Sequence, residues 1–147
     1  MKKLLIVSQY FWPEEFRINE LAFALGEKDL QVSVLTQTPN YPNRKIFKGN
    51  RFRLYENYNK VSVTRIPTIP RGKSKTSIFF NYLSYIVLSL PYFLFFRFKK
   101  YSYILVFQPS PVFVGLWPSV LFNGKRVKKL IWILDLWPDT FFSVFEY

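Results

Sequence analysis

Apolar residues fall on two different periods along this chain, and the alternation between them sets out the elements. Leu4-Leu5-Ile6-Val7 is an unbroken apolar run with branched side chains, the pattern of a central parallel strand covered on both faces. After residues 8–15, Ile18, Leu21, Ala22 and Leu25 recur at helical spacing, and Gly26 suits a C-terminal cap region. Residues 32–36 (Val-Ser-Val-Leu-Thr) read as the next strand. Strand, helix and strand in so short a stretch make a βαβ unit, which implies a parallel pair and a right-handed crossover.

Residues 38–50 hold two prolines, three asparagines and a glycine, and read as loop. Residues 52–56 and 61–66 flank 57–60 and predict a short hairpin. Residues 67–75 form a second loop, stiffened by Pro67 and Pro70. Residues 78–96 are almost wholly apolar, with basic residues at both ends. Three readings compete for them: a core helix, a membrane span, and a helix in the membrane interface. Asn81, Ser84, Ser89, Pro91 and three interior tyrosines favour a helix with one face on a sheet and an aromatic outer face able to touch lipid. Residues 103–107 predict a strand and 112–122 a helix shortened or kinked by Gly115 and Pro118. Residues 130–134 predict a last buried strand ending at Asp135. The order predicts an α/β domain with a Rossmann-like, doubly wound, mostly parallel sheet, a hairpin insertion and a long apolar helix. The stop at Tyr147, so soon after a strand, predicts a domain cut short.

Composition narrows the chemistry. The chain has 147 residues, 50% hydrophobic and 21% aromatic, enough for a core and incompatible with disorder. With no cysteine and no histidine, disulfides, thiolate chemistry, histidine acid/base catalysis and the usual zinc sites are excluded. The run 1–7 is too short for a signal peptide and predicts a cytoplasmic protein. Twenty-one Lys and Arg against nine Asp and Glu give a net charge of +12. Ten of these bases lie between Arg44 and Lys75, where Glu56 is the single acid. Such a field attracts nucleic acid, an anionic bilayer or phosphate-bearing ligands. No RRM, KH or helix-turn-helix pattern accompanies it, so nucleic acid is not the expected partner; a basic, aromatic nucleic-acid-binding module stays an alternative, as does a small single-span membrane protein.

In a doubly wound sheet, ligands sit beyond the carboxyl ends of the strands. The first segment there holds Trp12, Glu14, Glu15 and Arg17, with no G-x-G-x-x-G fingerprint for a dinucleotide. Arg17 at a helix N-terminus could meet an anion, while Glu14 and Glu15 read equally as first-turn acids complementing the helix dipole. Asp135 could act as a general base or a sugar-hydroxyl ligand, or could bond turn amides; Asp139 reads first as a helix cap. No P-loop, nucleophile elbow or metal triad is present, and no cofactor is expected.

The segment Ser8-Gln9-Tyr10-Phe11-Trp12-Pro13-Glu14-Glu15-Phe16-Arg17-Ile18-Asn19-Glu20-Leu21 resembles the opening of bacterial glycosyltransferases of the GT-B fold, retaining family 4, and within it the WbuB-like N-acetyl-L-fucosamine transferase subgroup. The likeness continues through Pro39-Asn40-Tyr41-Pro42, Arg71-Gly72-Lys73, Gln108-Pro109-Ser110-Pro111 and Asp135-Leu136-Trp137-Pro138-Asp139, across essentially the whole chain. The resemblance implies the acceptor-side, N-terminal half of a transferase acting in O-antigen, capsule or exopolysaccharide synthesis, without a metal. Asp135 would be the catalytic candidate, and Trp12, Glu14, Arg17, Asn40, Tyr41, Gln108 and Asp139 the acceptor-binding set. Arg44, Lys45, Arg71, Lys73 and Lys75 would touch membrane headgroups or the acceptor diphosphate. The acceptor would be a polyprenyl-diphosphate-linked sugar at the anionic inner face of the plasma membrane, where the protein would sit peripherally. The nucleotide-sugar donor needs a second domain, which a separate chain could carry, so this chain alone is expected to be inactive. Many family members carry a histidine after the strand at 103–107; here Gln108-Pro109-Ser110-Pro111 stands there, and no histidine role transfers.

Overall fold

The structure is a computed structural model that describes residues 1–42, 45–47, 53–109, 112–123 and 127–134. It is an α/β fold built on six strands: β1 (Lys2–Ser8), β2 (Leu30–Gln37), β3 (Tyr55–Tyr58), β4 (Val61–Ile66), β5 (Tyr103–Gln108) and β6 (Lys128–Ile133). Their order across the sheet is β3-β4-β2-β1-β5-β6. All neighbours run parallel except β3, which pairs antiparallel to β4. Among the described residues there are three α-helices, α1 (Arg17–Gly26), α2 (Lys75–Arg97) and α3 (Leu116–Leu121).

Side-chain alternation on β1 divides the core in two. Leu4 and Ile6 face Ile18 and Ala22 of α1 together with Val32, Val34 and Val61. Leu5 and Val7 point the other way, toward Tyr85, Phe93 and Phe96 of α2 and Phe122 after α3. Helices therefore cover both faces, which is what an unbroken apolar strand requires. The chain crosses from β1 to β2 through α1 on one face, then from β4 back to β5 through α2 on the other. The order of strands reverses at β1.

Most predicted elements appear where the pattern put them, and the differences have local causes. The hairpin turn is tighter than expected: Asn57 and Tyr58 belong to β3, and Asn59 and Lys60 alone make the turn, at φ of 42° and 66°. Two positive-φ residues match the right-handed twist of the flanking strands. Gly26 does not act as a left-handed cap; Glu27 caps α1 in right-handed geometry. A Cβ on Gly26 would lie 2.9 Å from Val61 Cγ2 and 3.2 Å from the Asn59 carbonyl oxygen, so the glycine lets the helix end approach the hairpin. The helix expected at 112–122 divides at Gly115 into a 3-10 turn (Val112–Gly115) and α3. Strand β6 forms, but it is not buried: it lies at the sheet edge, and Leu130, Ile131, Ile133 and Leu134 stay about half exposed.

Ser74 caps α2, its side chain accepting from the Ser77 amide. The helix has 23 residues, and its most apolar window has a mean hydropathy of 1.6 with 22% of the window buried. It is thus long and apolar enough to cross a membrane by length and composition. Its packed side carries Asn81, Ser84, Tyr85, Ser89, Phe93 and Phe96, while Phe79, Phe80, Val87 and Phe95 face outward. On the packed side Asn81 bonds to Gln9, Gln37 and Ile69, Ser84 to the Asn81 carbonyl and Ser89 to the Ile86 carbonyl, while the buried Tyr85 hydroxyl makes no hydrogen bond. Truncating Phe93 to alanine should lower stability by about 3–5 kcal/mol in denaturant unfolding, because the ring is fully enclosed between α2 and the sheet. A loss under about 1 kcal/mol would mean that α2 does not pack on the sheet in solution.

Candidate functional site at the carboxyl edge of the sheet

Strands β1, β2, β4 and β5 end in polar residues at one edge. Ser8 ends β1 and Gln9 follows it, Gln37 ends β2 and Thr38 follows it, Thr68 lies just after β4, and Gln108 ends β5; all are buried. Around Gln37 the side chains form one network. Gln37 Oε1 accepts from Thr68 Oγ1 at 3.1 Å, from Asn81 Nδ2 at 3.3 Å and from Gln9 Nε2 at 3.4 Å, and Gln9 Nε2 also donates to Asn81 Oδ1 at 3.0 Å. Gln9 Oε1 and Gln37 Nε2 are enclosed without partners. The bonds of this network run from side chain to side chain, while the backbone carbonyls of Gln9 and Ile66 are met by the hydroxyls of Thr36 and Thr38.

The second feature of the edge is a carboxylate clamp. Glu14, 1% exposed, accepts from the amides of Asn40 (2.8 Å) and Tyr41 (2.7 Å) through Oε1, and from the Phe11 amide (3.2 Å) through Oε2. It thereby ties the loop after β1 to the loop after β2. Burial pushes its pKa up to about 7 against the pull of the three amides and of Arg65. A buried carboxylate titrating near neutrality is a general-base candidate by electrostatics. Here both oxygens are taken by backbone amides of its own loops, so Glu14 positions rather than reacts. It also lies outside α1, which starts at Arg17, and so is not a first-turn acid.

Arg71 is held next to this clamp. Its amide donates to Asn40 Oδ1 at 3.2 Å, its Nη1 donates to the Tyr10 hydroxyl at 3.2 Å, and its guanidinium lies 5.9 Å from the Tyr82 ring centroid. Burial pushes the Tyr10 pKa up to about 12 despite Arg71. Tyr10 stacks on Phe16 at 5.0 Å and 11°, and Tyr41 leans against both at 5.5 and 5.7 Å. The result is an aromatic shelf in which Tyr10 is buried and Tyr41 is the exposed ring, with a fixed cation at its side. Arg65, entirely buried, braces the clamp from below: Nε donates to Glu56 and Nη2 to the Trp12 carbonyl, both at 2.7 Å.

The expected site residues are divided among three places. Glu14, Asn40, Tyr41 and Arg71 come together in the clamp and shelf. Asn40 is buried and spends its side chain on the Thr38 carbonyl and the Arg71 amide, so it is a positioning residue. Trp12 and Arg17 line a separate hollow of about 440 Å3 with Phe16 and Phe23 against α1. Gln108 lies across β1 from the clamp, its Oε1 4.0 Å from where a Cβ on Gly115 would sit. Lys45, Lys73 and Lys75 are exposed. Arg44, Asp135 and Asp139 lie outside the described residues. The pattern missed Gln9, Gln37, Arg65 and Asn81. Polar residues at the ends of apolar strands, and one amide inside an apolar helix, were the available signals.

Among the described residues, no group of three or more carboxylates could hold a metal ion. The edge instead offers a cation, backbone-fixed loops and aromatic surface, a combination that can hold an anionic group beside an apolar face. No protein-family model matches this chain, and no curated protein matches it significantly.

The clamp has a pH signature. Because burial raises the Glu14 pKa in the folded state above its usual 4.5, the folded chain binds that proton more tightly than the unfolded one. Stability from this group is full below about pH 4.5 and is lost as pH rises through 7. Stability against thermal unfolding should therefore fall from pH 5 to pH 8 by on the order of 3 kcal/mol, and Glu14→Gln should flatten that slope. An unchanged slope in the variant would assign the titration elsewhere.

Proposed function

We propose that this chain is the acceptor-binding, doubly wound half of a membrane-peripheral glycosyltransferase of GT-B type, which receives a sugar acceptor carried on a polyprenyl diphosphate. The observation that carries the reading is Arg71, fixed by Tyr10 and Asn40 beside the Tyr10–Phe16–Tyr41 shelf. A guanidinium offers paired donors to diphosphate oxygens, and aromatic rings cover the apolar face of a sugar. The place is also apt: strand order reverses at β1, and ligands of doubly wound sheets bind at the carboxyl edge by such a reversal. α2 begins four residues after Arg71, with Lys73 in the short loop between them, Lys75 as its first residue, and the exposed Phe79 and Phe80 in its first two turns. Apolar and cationic contacts together are the two signals that peripheral attachment to an anionic bilayer requires.

In this reading the nucleotide-sugar is held by a second domain, on this or another chain, and closure over the carboxyl edge excludes water and orients the acceptor hydroxyl. Glu14 sets the distance between the two loops that the acceptor meets. The residues described here supply binding and orientation; the sugar-transfer step itself needs the donor domain.

Flotation with phosphatidylglycerol-containing vesicles, with and without a polyprenyl-diphosphate-linked sugar, tests the proposal. The glycolipid should tighten binding about tenfold, and Arg71→Ala should remove that gain while leaving attachment to the bare anionic vesicles. Phe79→Ser with Phe80→Ser should weaken attachment to both. Equal binding with and without the glycolipid would overturn the acceptor reading, and resistance to alkaline carbonate extraction would replace peripheral attachment with a membrane span.

A further inference from the structure

A second recess lies on the α2 face of the sheet, at the opposite edge from the clamp, where the parallel strands begin. It has two compartments. An apolar slot of about 560 Å3 opens between Pro91, Tyr92 and Phe95 of α2 and the β3–β4 hairpin. A polar chamber of about 90 Å3 adjoins it, lined by Lys3, Ser33, Ser62 and Tyr101. Tyr55, Thr64, Phe96 and Lys99 border both, so the two share a wall.

The polar chamber is an exception to the burial pattern of the sheet. On this face β1 continues with Leu5 and Val7 and β2 with Leu35, all enclosed under helices. Toward the strand starts the same rows carry Lys3, Gln31, Ser33 and Ser62 instead. The Tyr101 hydroxyl is buried there without a well-formed hydrogen bond; burial raises its pKa, and Ser33 is close enough to pull against that rise. A buried hydroxyl left unsatisfied costs free energy that a ligand oxygen would restore. Two lysines, Lys3 and Lys99, line the chamber as well. Lys99 Nζ sits 4.8 and 5.0 Å from the ring centroids of Phe96 and Phe95, which hold it at the junction of slot and chamber. Among the described residues, neither Lys3 nor Lys99 is in an ion pair.

We propose that this recess binds one long-chain fatty carboxylate, its hydrocarbon tail in the slot and its headgroup in the chamber between Lys99, Lys3 and the Tyr101 hydroxyl. Charge complementarity sets the sign of the headgroup. The chamber, about 90 Å3, has room for a carboxylate and a few waters. The slot falls within the roughly 300–1,000 Å3 of small-molecule sites and is lined mainly by aromatic and proline side chains. Its outer lip, Phe95, and the neighbouring Phe98 are exposed apolar groups over which a chain can enter. The site is separate from the carboxyl edge and does not rest on the sugar-transfer reading.

Fluorescence titration of the full chain with cis-parinaric acid, below its micellar concentration, and with its methyl ester tests the assignment. The acid should bind at least tenfold more tightly than the ester. Lys3→Gln with Lys99→Gln should reduce acid affinity about tenfold and leave the ester unchanged, and Thr64→Trp, filling the shared wall, should abolish both. Because that filling variant could unfold the chain, amide chemical shifts of the unaltered protein give an independent reading. Addition of the acid should perturb Lys3, Ser33, Thr64, Lys99 and Tyr101, and not Asn40 or Arg71. Equal affinities for acid and ester, an unaffected double variant, or shifts confined to the carboxyl edge would each overturn the proposal.

Discussion

A strand with parallel neighbours on both sides cannot be reached by hairpins, and β1 is such a strand. β2 and β5 flank it, and each connection must leave the sheet, cross a face and return to the same end. That constraint puts α1 over Leu4 and Ile6 and α2 over Leu5 and Val7, and it buries β1 from Leu4 to Ser8. It also collects every strand-to-helix loop at one edge. Gln9, Gln37 and Thr68 form a side-chain network with Asn81 there, and the Thr38 hydroxyl donates to the Ile66 carbonyl where the ladder ends.

The edge is held by a single carboxylate. Glu14 replaces water for three backbone amides from two loops that are remote in sequence, at the cost of burying an ionisable group. The raised pKa expresses that cost. The same arrangement fixes Tyr41 against Tyr10 and Phe16 and presents Asn40 Oδ1 to the Arg71 amide, so the cation and the aromatic shelf are placed by one interaction. Helix α2 serves both ends of the molecule: Asn81 closes the amide network at the carboxyl edge, and Phe96 forms part of the recess at the other. An apolar outer surface between these two duties accounts for the unusual composition of the helix.

The period of the apolar residues was enough to place the strands, helices and hairpin, because a parallel strand buried on both faces and a one-faced helix leave different patterns in a chain. Composition alone excluded histidine and cysteine chemistry. Position at strand ends also placed Glu14 at the carboxyl edge, while Asn40, Tyr41 and Arg71 were singled out by the family resemblance. Their roles were not legible. Glu14 reads locally as a first-turn acid, and only the approach of residues 40 and 41 from the neighbouring strand makes it a clamp. Arg65 reads as a surface cation of a short strand until Glu56 and the Trp12 carbonyl close over it. The apolar run of β6 resembles that of β1, yet the edge of the sheet leaves it exposed, since burial depends on what lies alongside and period does not record it. The sequence by itself determined which segments become strand or helix and which side chains share a face; tertiary structure decided which loops meet, which charges are enclosed and where a recess remains, because those depend on contacts between residues far apart in the chain.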